Sequence, residues 1–513
     1  MGFGMKKRGQ LLVGALALAA AFAFACGSEG GAANAGNETD SGVDASAPVV
    51  ADAGTPVVLV DPLAETPDTT EGLTNVSASL NAVLENGELN GACDRMKANP
   101  ANRRERLLCG KSMFFDDGFS TVGVPASIFD FMAGRFPDEL GLGFSKLGMI
   151  PDPRSTKNRP LGAPKGAPLN GNETVAFGCA SCHFGKLPDG RYAVGAPNHD
   201  YDYGGHILNL ILAPQSAAPT WSDAAHHPDA LAKTAAVRGK LAADFGLKLQ
   251  LTGSLLPLLT SMNSVQNLDR TQEGQYASWR RGTMDFLMAP LPLDDKVHTV
   301  SKILSLWEVP TASREAAAGM PHSMLGWTGG TKSLLLFLKG FVALGDGAAT
   351  RYTDDVLMPM IEYLTSLRAP KSATPAPVAD QQRGLEVFNA SGCLPCHDGP
   401  GAMGKRLFTF DEVGTEQAMK YWGDTNKNGQ MCCGLGNVGQ VMVTHGIKAP
   451  RLSASWALGR FLHNGALDSL EQLFCLAPRP SSREPVFGAQ GHEFGCNLPE
   501  ADRRALVAYL KSR

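Results

Sequence analysis

The chain contains 513 residues, which is too many for one ordinary hydrophobic core and suggests two or three domains. Its formal net charge is −4, and it becomes about −7 if the three cations near the N-terminus (Lys6, Lys7 and Arg8) leave with a cleaved leader. This mildly acidic balance, without a basic run, argues against a nucleic acid as a partner.

Residues 1–25 have the pattern of a signal peptide. A basic start is followed by an apolar run from Leu11 to Ala25, which is too short for a comfortable membrane span, so cleavage is favoured over anchoring. The next residue, Cys26, makes the segment resemble a bacterial lipoprotein signal, which predicts a lipid anchor on that sulfur and a location in the periplasm or cell envelope. Lipoprotein signals usually carry Leu where Ala23 stands, so a plain secretory cut at the same bond is the alternative.

Residues 26–72 are rich in Ala, Gly, Ser, Asp and Pro and nearly free of aromatic residues, which predicts a flexible tether. Beyond them, apolar residues at helical spacing predict a mainly α protein, and strand-like alternation is nearly absent. The predicted helices are Leu73–Leu89, Ala224–Phe245, Gln272–Leu287, Thr331–Leu344, Tyr352–Leu367, Arg383–Phe388 and Glu500–Leu510.

The pattern Cys-x-x-Cys-His occurs twice, as Cys179–His183 and Cys393–His397. Covalent attachment of haem c needs this pattern, because two thiols add to the two vinyl groups and the adjacent imidazole reaches the iron. The sequence therefore predicts two covalently bound haem c groups, attached through Cys179, Cys182, Cys393 and Cys396, with His183 and His397 as proximal ligands. A zinc or redox Cys-x-x-Cys followed by His is the alternative, and two copies behind an export signal argue against it.

The halves of the chain also share a loop pattern, because Trp327–Leu334 parallels His463–Leu470. Duplication of a haem-binding unit explains this repeat, and chance similarity of Gly- and Leu-containing loops is the alternative. We expect two cytochrome-c-like haem domains with long irregular loops, over residues 73–368 and 381–513, joined by a Pro/Ala/Ser-rich linker over residues 369–380.

Six further cysteines in an oxidising compartment predict three disulfide bridges. Cys93–Cys109 and Cys475–Cys496 are the natural local pairs. Cys432 and Cys433 are neighbours, so they either bridge each other or compete for the last two thiols. Metal binding by these six is less favoured, because no His accompanies them at zinc spacing.

Several segments resemble bacterial di-haem cytochrome c peroxidases and their relatives, which include MauG-type enzymes and rubber oxygenases of the RoxA type. Leu108–Asp116 resembles the start of their first haem domain, and Leu462–Gly465 resembles a loop of both groups. Gly195–Asp202 and Arg281–Asp285 resemble segments of the RoxA-like members. The resemblance covers Cys93–Arg513. About 60 residues rich in Gly and Pro separate the first segment from the first haem motif, which departs from the peroxidases and predicts an irregular insertion.

The resemblance implies that the second haem passes electrons and carries a sixth ligand. In the peroxidases this ligand lies downstream of the His-containing loop, so His492 is the first candidate and His463 the second. Met442 and His445 are further candidates. The alternative for His492 is a loop imidazole bonded to a backbone carbonyl.

For the first haem, the resemblance implies activation of peroxide or dioxygen. The candidates for its surroundings are His199, His206, His322, Trp307, Trp327 and Glu308. The two tryptophans resemble positions beside the first haem in RoxA-like proteins, where a ring lines a distal pocket or carries an electron. A buried tryptophan is more often part of a core.

The expected function is that of an exported di-haem oxidoreductase with a small redox protein, or another electron donor or acceptor, as partner. The alternative is a non-catalytic di-haem electron carrier at the cell envelope, in which His199 or His206 would fill the sixth position of the first haem iron. A haem-based sensor is a weaker alternative, because no signalling domain is attached. Substrate selectivity is expected in the insertion over residues 119–175 and in the first-haem pocket.

Overall fold

Helices account for most of the regular structure in the computed structural model, which is 43% helix and 7% strand. The prediction of a mainly α protein is therefore confirmed. The structure describes residues 59–513 except 65, 120, 122, 170, 256–267, 286, 288–294, 321–322, 345–350, 433–440 and 483–484. The predicted signal peptide, Cys26 and most of the predicted tether lie outside the described residues. The part from Leu59 to Arg513 forms one compact unit.

The helices range from single turns to about four turns. The longer α-helices are Arg103–Asp116, Ala126–Arg135, Ala235–Ala243, Arg270–Ser278, Leu334–Leu344, Asp354–Ser366, Val378–Ala390 and Glu500–Lys511. The shorter ones are Leu80–Val83, Ala92–Ala98, Pro137–Leu140, Cys179–His183, Tyr203–Ile207, Ala213–Gln215, Pro228–Lys233, Phe245–Gln250, Ala312–Ala317, Phe410–Val413 and Leu470–Leu473. Turns of 3-10 or π type are Glu85–Gly87, Leu142–Leu147, Leu208–Leu212, Asp223–Ala225, Leu251–Leu255, Pro400–Ala402, Ala418–Tyr421, Ser455–Ala457 and Pro485–Phe487. Among the described residues, no helix is long and apolar enough to cross a membrane.

The strands are only two or three residues long and pair antiparallel. They are β1 (Val76–Ser77), β2 (Val124–Pro125), β3 (Thr174–Val175), β4 (Phe184–Lys186), β5 (Tyr192–Val194), β6 (Thr283–Met284), β7 (Ser301–Lys302), β8 (Leu407–Phe408) and β9 (Ile447–Lys448). Three of them form a sheet in the order β1-β5-β4, and β2-β3, β6-β7 and β8-β9 form pairs. Strand β4 directly follows the first haem motif, with Phe184 opposite Val194, so this sheet fixes the chain that leaves the motif.

In the first half, helix Arg103–Asp116 crosses helix Asp354–Ser366 at a glycine. A Cβ on Gly110 would lie 2.1 Å from the Pro359 carbonyl oxygen and 2.6 Å from the Tyr363 Cβ. Only a glycine therefore permits this contact between the two backbones.

The second half repeats this crossing. Helix Val378–Ala390 packs on helix Glu500–Lys511, and a Cβ on Gly384 would lie 2.1 Å from the Ala505 carbonyl oxygen and 2.5 Å from the Tyr509 Cβ. In each half, therefore, a helix near the start of that half packs at a glycine against the helix at the end of that half.

Three large apolar clusters form the core, and the haem motifs lie at their edges. Cys182 packs on a cluster that contains the buried rings Phe129, Phe144, Tyr201 and Tyr203, while Cys179 packs on a second cluster with Phe115, Phe184, Trp307 and Tyr363. Cys393 packs on a third, with Phe388, Phe461, Leu506 and Tyr509. The sequence thus places each motif where apolar side chains from several elements converge.

Some predicted helices have different bounds. The segment Leu73–Leu89 is not one helix, because Glu85 and Asn86 have positive φ angles of 54° and 50° and the Glu85 carboxylate accepts from the buried Lys111 amine at 2.6 Å. The helix predicted from Gln272 ends at Ser278. The segment Ala224–Phe245 is divided into several helices, and the helix predicted over Arg383–Phe388 extends over Val378–Ala390. Tertiary contacts, which periodicity does not encode, set these bounds.

The prediction of a flexible tether as far as residue 72 is wrong for its last part. Leu63 and Thr70 are buried, and Asp61 accepts a hydrogen bond of 2.6 Å from the Tyr509 hydroxyl. Asp61 also pairs with Arg513 at 2.8 Å. This stretch is polar in composition, but the Asp61 carboxylate accepts from Tyr509 of the last helix, and Leu63 packs in the cluster that contains Leu506 of that helix.

Two predicted disulfides are confirmed, Cys93–Cys109 and Cys475–Cys496. Since Cys475 and Cys496 pair with each other, neither is left for Cys432 or Cys433. Cys433 lies outside the described residues.

Candidate functional site: two Cys-x-x-Cys-His motifs

The first motif forms one helical turn, Cys179–His183, that begins after Gly178. Its imidazole donates from Nδ1 to the Leu304 carbonyl at 2.9 Å. Because a carbonyl only accepts, the hydrogen is on Nδ1 and the lone pair of His183 is on Nε2. This is the tautomer in which a histidine binds a metal through Nε2 while its other nitrogen is held by the protein.

The second motif has the same arrangement. The His397 backbone N–H donates to the Cys393 carbonyl at 3.1 Å, which closes the turn, and the His397 Nδ1–H donates to the Ala402 carbonyl at 2.7 Å. Its lone pair is therefore also on Nε2. Two motifs that lie more than 200 residues apart in sequence thus present their imidazoles in one tautomer.

The four thiols of these motifs are unpaired and partly buried. Burial raises the pKa of Cys179 to about 12 and that of Cys182 and Cys393 to about 11. Neutral thiols are compatible with attachment to a haem.

Opposite the second motif lies His492. The ring centres of His397 and His492 are 6.4 Å apart, with 65° between the ring planes. Two imidazoles that bind one metal ion at about 2 Å, each with its ring centre about 1 Å behind the nitrogen, have centres about 6 Å apart. The observed separation is therefore suited to an iron held between the two rings.

The backbone of His492 is fixed on both sides. Its N–H donates to the Val413 carbonyl at 2.9 Å, and its carbonyl accepts from the Arg479 guanidinium at 3.0 Å. Its φ of 49° is left-handed, which is uncommon for a residue with a side chain and is found at functional positions. The Nδ1 atom is buried without a hydrogen-bond partner. Burial, together with the nearby His397, lowers the pKa of His492 to about 4, so the ring is neutral and able to bind a metal.

The other candidate ligands predicted for the second motif have different partners. His463 is buried, with its Nε2 2.6 Å from Glu416 Oε1 and its Nδ1 3.3 Å from the Thr415 hydroxyl. His445 pairs with Asp424 at 2.7 Å, and Met442 is exposed. Of the four candidates, His492 is the one whose ring lies against His397.

Near the first motif, His206 is fully buried in a cage of aromatic rings. The rings of Phe144, Phe177 and Phe129 lie 4.9, 5.3 and 6.1 Å from it, and its Nδ1 is 2.8 Å from the Tyr201 hydroxyl. Its Nε2 is buried and has no hydrogen-bond partner among the described residues. Burial lowers the pKa of His206 to about 3, so the unpartnered nitrogen belongs to a neutral ring.

His199 lines a cavity of about 430 Å³ whose walls include Leu187, Trp456 and Leu458. Both of its ring nitrogens are buried without a hydrogen-bond partner. Burial, together with the nearby Lys302 and Arg460, lowers its pKa to about 3. The candidate His322 lies outside the described residues.

The two predicted tryptophans have different surroundings. Trp307 is fully buried in the cluster that contacts Cys179, and its indole N–H donates to the Val194 carbonyl at 2.8 Å. Trp327 packs instead in the small cluster that contacts Cys396, with its ring 6.3 Å from that of His463. Trp307 thus packs near the first motif, whereas Trp327 packs near the second.

The Glu308 carboxylate is already bonded to other side chains, which argues against a role as an acid-base group. It is buried, accepts from the Thr66 hydroxyl at 2.9 Å and pairs with Arg314 at 3.0 Å.

Sequence reasoning missed the groups that hold the ligands in place. The carbonyls of Leu304 and Ala402 orient the two proximal imidazoles, but backbone acceptors have no sequence signal. Arg479 and Arg451 each donate to several backbone carbonyls around the sites. A buried arginine in a loop is a weak indication of such a role.

No known protein family matches the chain, and no curated protein sequence matches it. The function is therefore inferred from the chain's own residues and from the geometry described above.

Proposed function

We propose that this protein is an exported di-haem c-type cytochrome that acts as an oxidoreductase. The two haem c groups would be attached through Cys179 and Cys182 and through Cys393 and Cys396. The observation that carries the proposal is the common state of the two motif histidines, in which Nδ1–H is held by a backbone carbonyl and Nε2 keeps its lone pair.

The repeated helix crossing supports two haem domains of one ancestral type. Besides the glycines, each crossing contains an aromatic pair, Phe114–Tyr363 with ring centres 6.3 Å apart and Phe388–Tyr509 with ring centres 5.7 Å apart. The tyrosine hydroxyl of each pair donates to a side chain near the start of the described chain, Asn75 at 2.7 Å and Asp61 at 2.6 Å. This agreement in detail favours duplication over chance similarity.

The second haem is proposed as the electron-transfer site, and His397 and His492 are the residues that would hold its iron. The 6.4 Å separation of the rings supports this assignment, and the hydrogen bonds of His463 argue against that residue. Two imidazole ligands close the iron and favour electron transfer over catalysis.

The first haem is proposed as the reactive site, with His183 as proximal ligand. A haem bound there supplies the chemistry of peroxide or dioxygen activation. The chain contributes an aromatic cage that excludes water around His206, and the Tyr201 hydroxyl holds the Nδ1 side of that ring at 2.8 Å. Because burial keeps this imidazole neutral, it contributes a hydrogen-bonding group and not a charge to the pocket.

The same histidine favours the second candidate function, a non-catalytic electron carrier. The unpartnered Nε2 of the buried His206 could bind the iron of the first haem and close it. Export, lipid anchoring at Cys26 and a small redox protein as partner are part of the proposal and depend on the sequence alone.

Electron paramagnetic resonance separates the two functions. Spectra would be recorded on the purified full-length protein, oxidised and half-reduced, before and after addition of peroxide or dioxygen. If the protein is an enzyme, the first haem should be high-spin in one of these redox states, and its spectrum should change when the oxidant is added. Two haems that stay low-spin and ignore both oxidants in every redox state would contradict the enzyme and support the carrier.

A further inference from the structure

We infer that Arg451 links the proximal sides of the two haem sites and raises the reduction potentials of both haems together. The inference concerns a positioning residue that contacts neither motif directly, and it depends on the proposed function, because it needs two haems. No motif or resemblance pointed to this arginine.

On the first side, Arg451 holds the segment that orients His183. Its guanidinium donates to the Ser305 carbonyl at 2.7 Å and to the Trp307 carbonyl at 2.8 Å. Ser305 directly follows Leu304, whose carbonyl accepts from the His183 Nδ1–H at 2.9 Å. Arg451 is therefore one peptide unit away from the group that fixes the first proximal ligand.

On the second side, the residue after Arg451 holds the loop that orients His397. The Leu452 N–H donates to the Gly401 carbonyl at 3.0 Å, and Gly401 precedes Ala402, whose carbonyl accepts from the His397 Nδ1–H at 2.7 Å. Gly401 has a φ of 66°, and a Cβ there would lie 3.6 Å from the Arg451 Cδ. The loop is thus packed on the stem of the arginine.

Together these contacts form a continuous connection between the two imidazoles. It runs from His183 through Leu304 and Ser305 to Arg451, and then through Gly401 and Ala402 to His397, crossing four hydrogen bonds of 2.7 to 3.0 Å. Hydrogen bonds in a low-dielectric interior polarise one another, so a change at one end is felt at the other.

The charge of Arg451 acts on both sites in the same direction. Burial lowers its pKa to about 10, so the guanidinium remains cationic at neutral pH. A fixed positive charge disfavours the ferric form relative to the ferrous form, which carries one positive charge less, and hydrogen bonds and buried charge are among the means by which a protein sets a haem potential. Removal of this charge should therefore lower both potentials.

An arginine that only held the two segments together through hydrogen bonds would behave differently. Loss of those hydrogen bonds changes stability, whereas loss of a shared charge also shifts two potentials in one direction. Arg281 is a control for the loss of the backbone hydrogen bonds alone, because its exposed guanidinium also joins two backbone carbonyls, of Asp200 at 2.7 Å and Lys146 at 2.9 Å, but lies outside the connection between the imidazoles.

The experiment is a spectroelectrochemical titration of the purified full-length holoprotein, after its haem content has been measured. In Arg451→Met we expect the ferric-to-ferrous ratio of each haem at a fixed ambient potential to rise about tenfold, which corresponds to a downward shift of about 59 mV. Arg451→Lys, which keeps the charge, and Arg281→Met should stay close to the parent protein. If Arg451→Met does not accumulate, Arg451→Gln should show the same downward shift.

A variant with two haems in which only one potential moves, or neither, would overturn the role of Arg451. A downward shift of similar size in Arg281→Met would also overturn it. A parent protein without two covalent haems would instead contradict the proposed function, so the two failures are distinguishable.

Discussion

The imidazole rings of His397 and His492 lie with their centres 6.4 Å apart, although 94 residues separate them in the sequence. His397 is held through Nδ1 by Ala402, and the backbone of His492 is held by Val413 and Arg479. The ring of His397 and the backbone of His492 are therefore each fixed by their own surroundings, and the distance between the ring centres is close to that of two imidazoles that bind one metal ion.

Replacement of His492 tests the sixth ligand of the second haem. In His492→Ala we expect nearly all of the low-spin signal of that haem to be lost, because its iron loses one imidazole, while covalent attachment at Cys393 and Cys396 persists. The measurement is electron paramagnetic resonance of the oxidised protein. His463→Gln is the matched control and should keep the low-spin signal. If His463→Gln loses the signal and His492→Ala keeps it, the assignment is wrong.

The disulfide Cys475–Cys496 should support the position of His492. Its second cysteine lies four residues after His492, and the same turn is held by Arg479, which donates to the carbonyls of Gly491 and His492. Replacement of both cysteines by Ser should cost about 3 kcal/mol of unfolding free energy and should lower the low-spin fraction of the second haem. Urea unfolding and visible spectra of the same samples measure the two effects.

The control for this prediction is the double replacement of Cys93 and Cys109. This bridge closes a loop of similar length, with 16 residues of separation against 21, so its loss should cost a similar free energy of unfolding. The spin state of the second haem should not change. A similar loss of low-spin signal in both double variants would contradict a local role of Cys475–Cys496.

Gly→Ala replacements should change the unfolding free energy in opposite directions at the helix crossings and at an open helix position. At Gly110 or Gly384 a Cβ would lie 2.1 Å from a backbone oxygen of the partner helix, so Ala should force the helices apart and lower the unfolding free energy by several kcal/mol. At Gly239, in the helix Ala235–Ala243, a Cβ meets no atom within 4 Å, and Ala should raise the unfolding free energy by up to about 1 kcal/mol. Thermal unfolding compares the three variants. Gly110→Ala or Gly384→Ala with unchanged stability would contradict the close crossing.

Two buried lysines predict how stability depends on pH. Burial lowers the pKa of Lys302 and of Lys448 to about 7, far below the usual 10.5. Between these values the unfolded chain binds a proton that the folded chain does not, so the unfolding free energy rises with pH, by up to about 1.4 kcal/mol per pH unit and lysine. Below pH 7 both states bind the proton and this contribution becomes flat.

Lys302→Met should reduce this rise, because one of the two lysines is removed. Among the residues that the structure describes, its Nζ donates to the Arg460 carbonyl at 2.7 Å, so the side chain can be replaced by one of similar length at the cost of that hydrogen bond. Urea unfolding at pH 7 and at pH 8.5 measures the difference for the parent and the variant. An equal rise in both proteins would show that Lys302 does not titrate in this range.

Sequence reasoning predicted the features that depend on local patterns. The helix predicted over Glu500–Leu510 has the bounds Glu500–Lys511, because its apolar spacing and its acidic first turn agree. The disulfides Cys93–Cys109 and Cys475–Cys496 followed from sequence proximity. These features need no knowledge of distant contacts.

Features that depend on distant contacts could not be predicted in this way. The segment Leu73–Leu89 was expected as one helix, but Glu85 leaves the helical conformation to pair with the buried Lys111. Trp327 was expected near the first motif because it resembles a RoxA-like position, yet it packs in the cluster that contacts Cys396 of the second motif. The acceptors at Leu304 and Ala402 are backbone carbonyls, so no residue type in the sequence indicates them.

The most direct test of the central claim is the intact mass of the purified full-length protein after expression with a haem c maturation system. The account predicts a chain that carries two covalent haems, one haem in the Cys179→Ala, Cys182→Ala variant, and one haem in the Cys393→Ala, Cys396→Ala variant. A chain without covalent haem, or a chain whose four motif cysteines bind zinc instead, would contradict it.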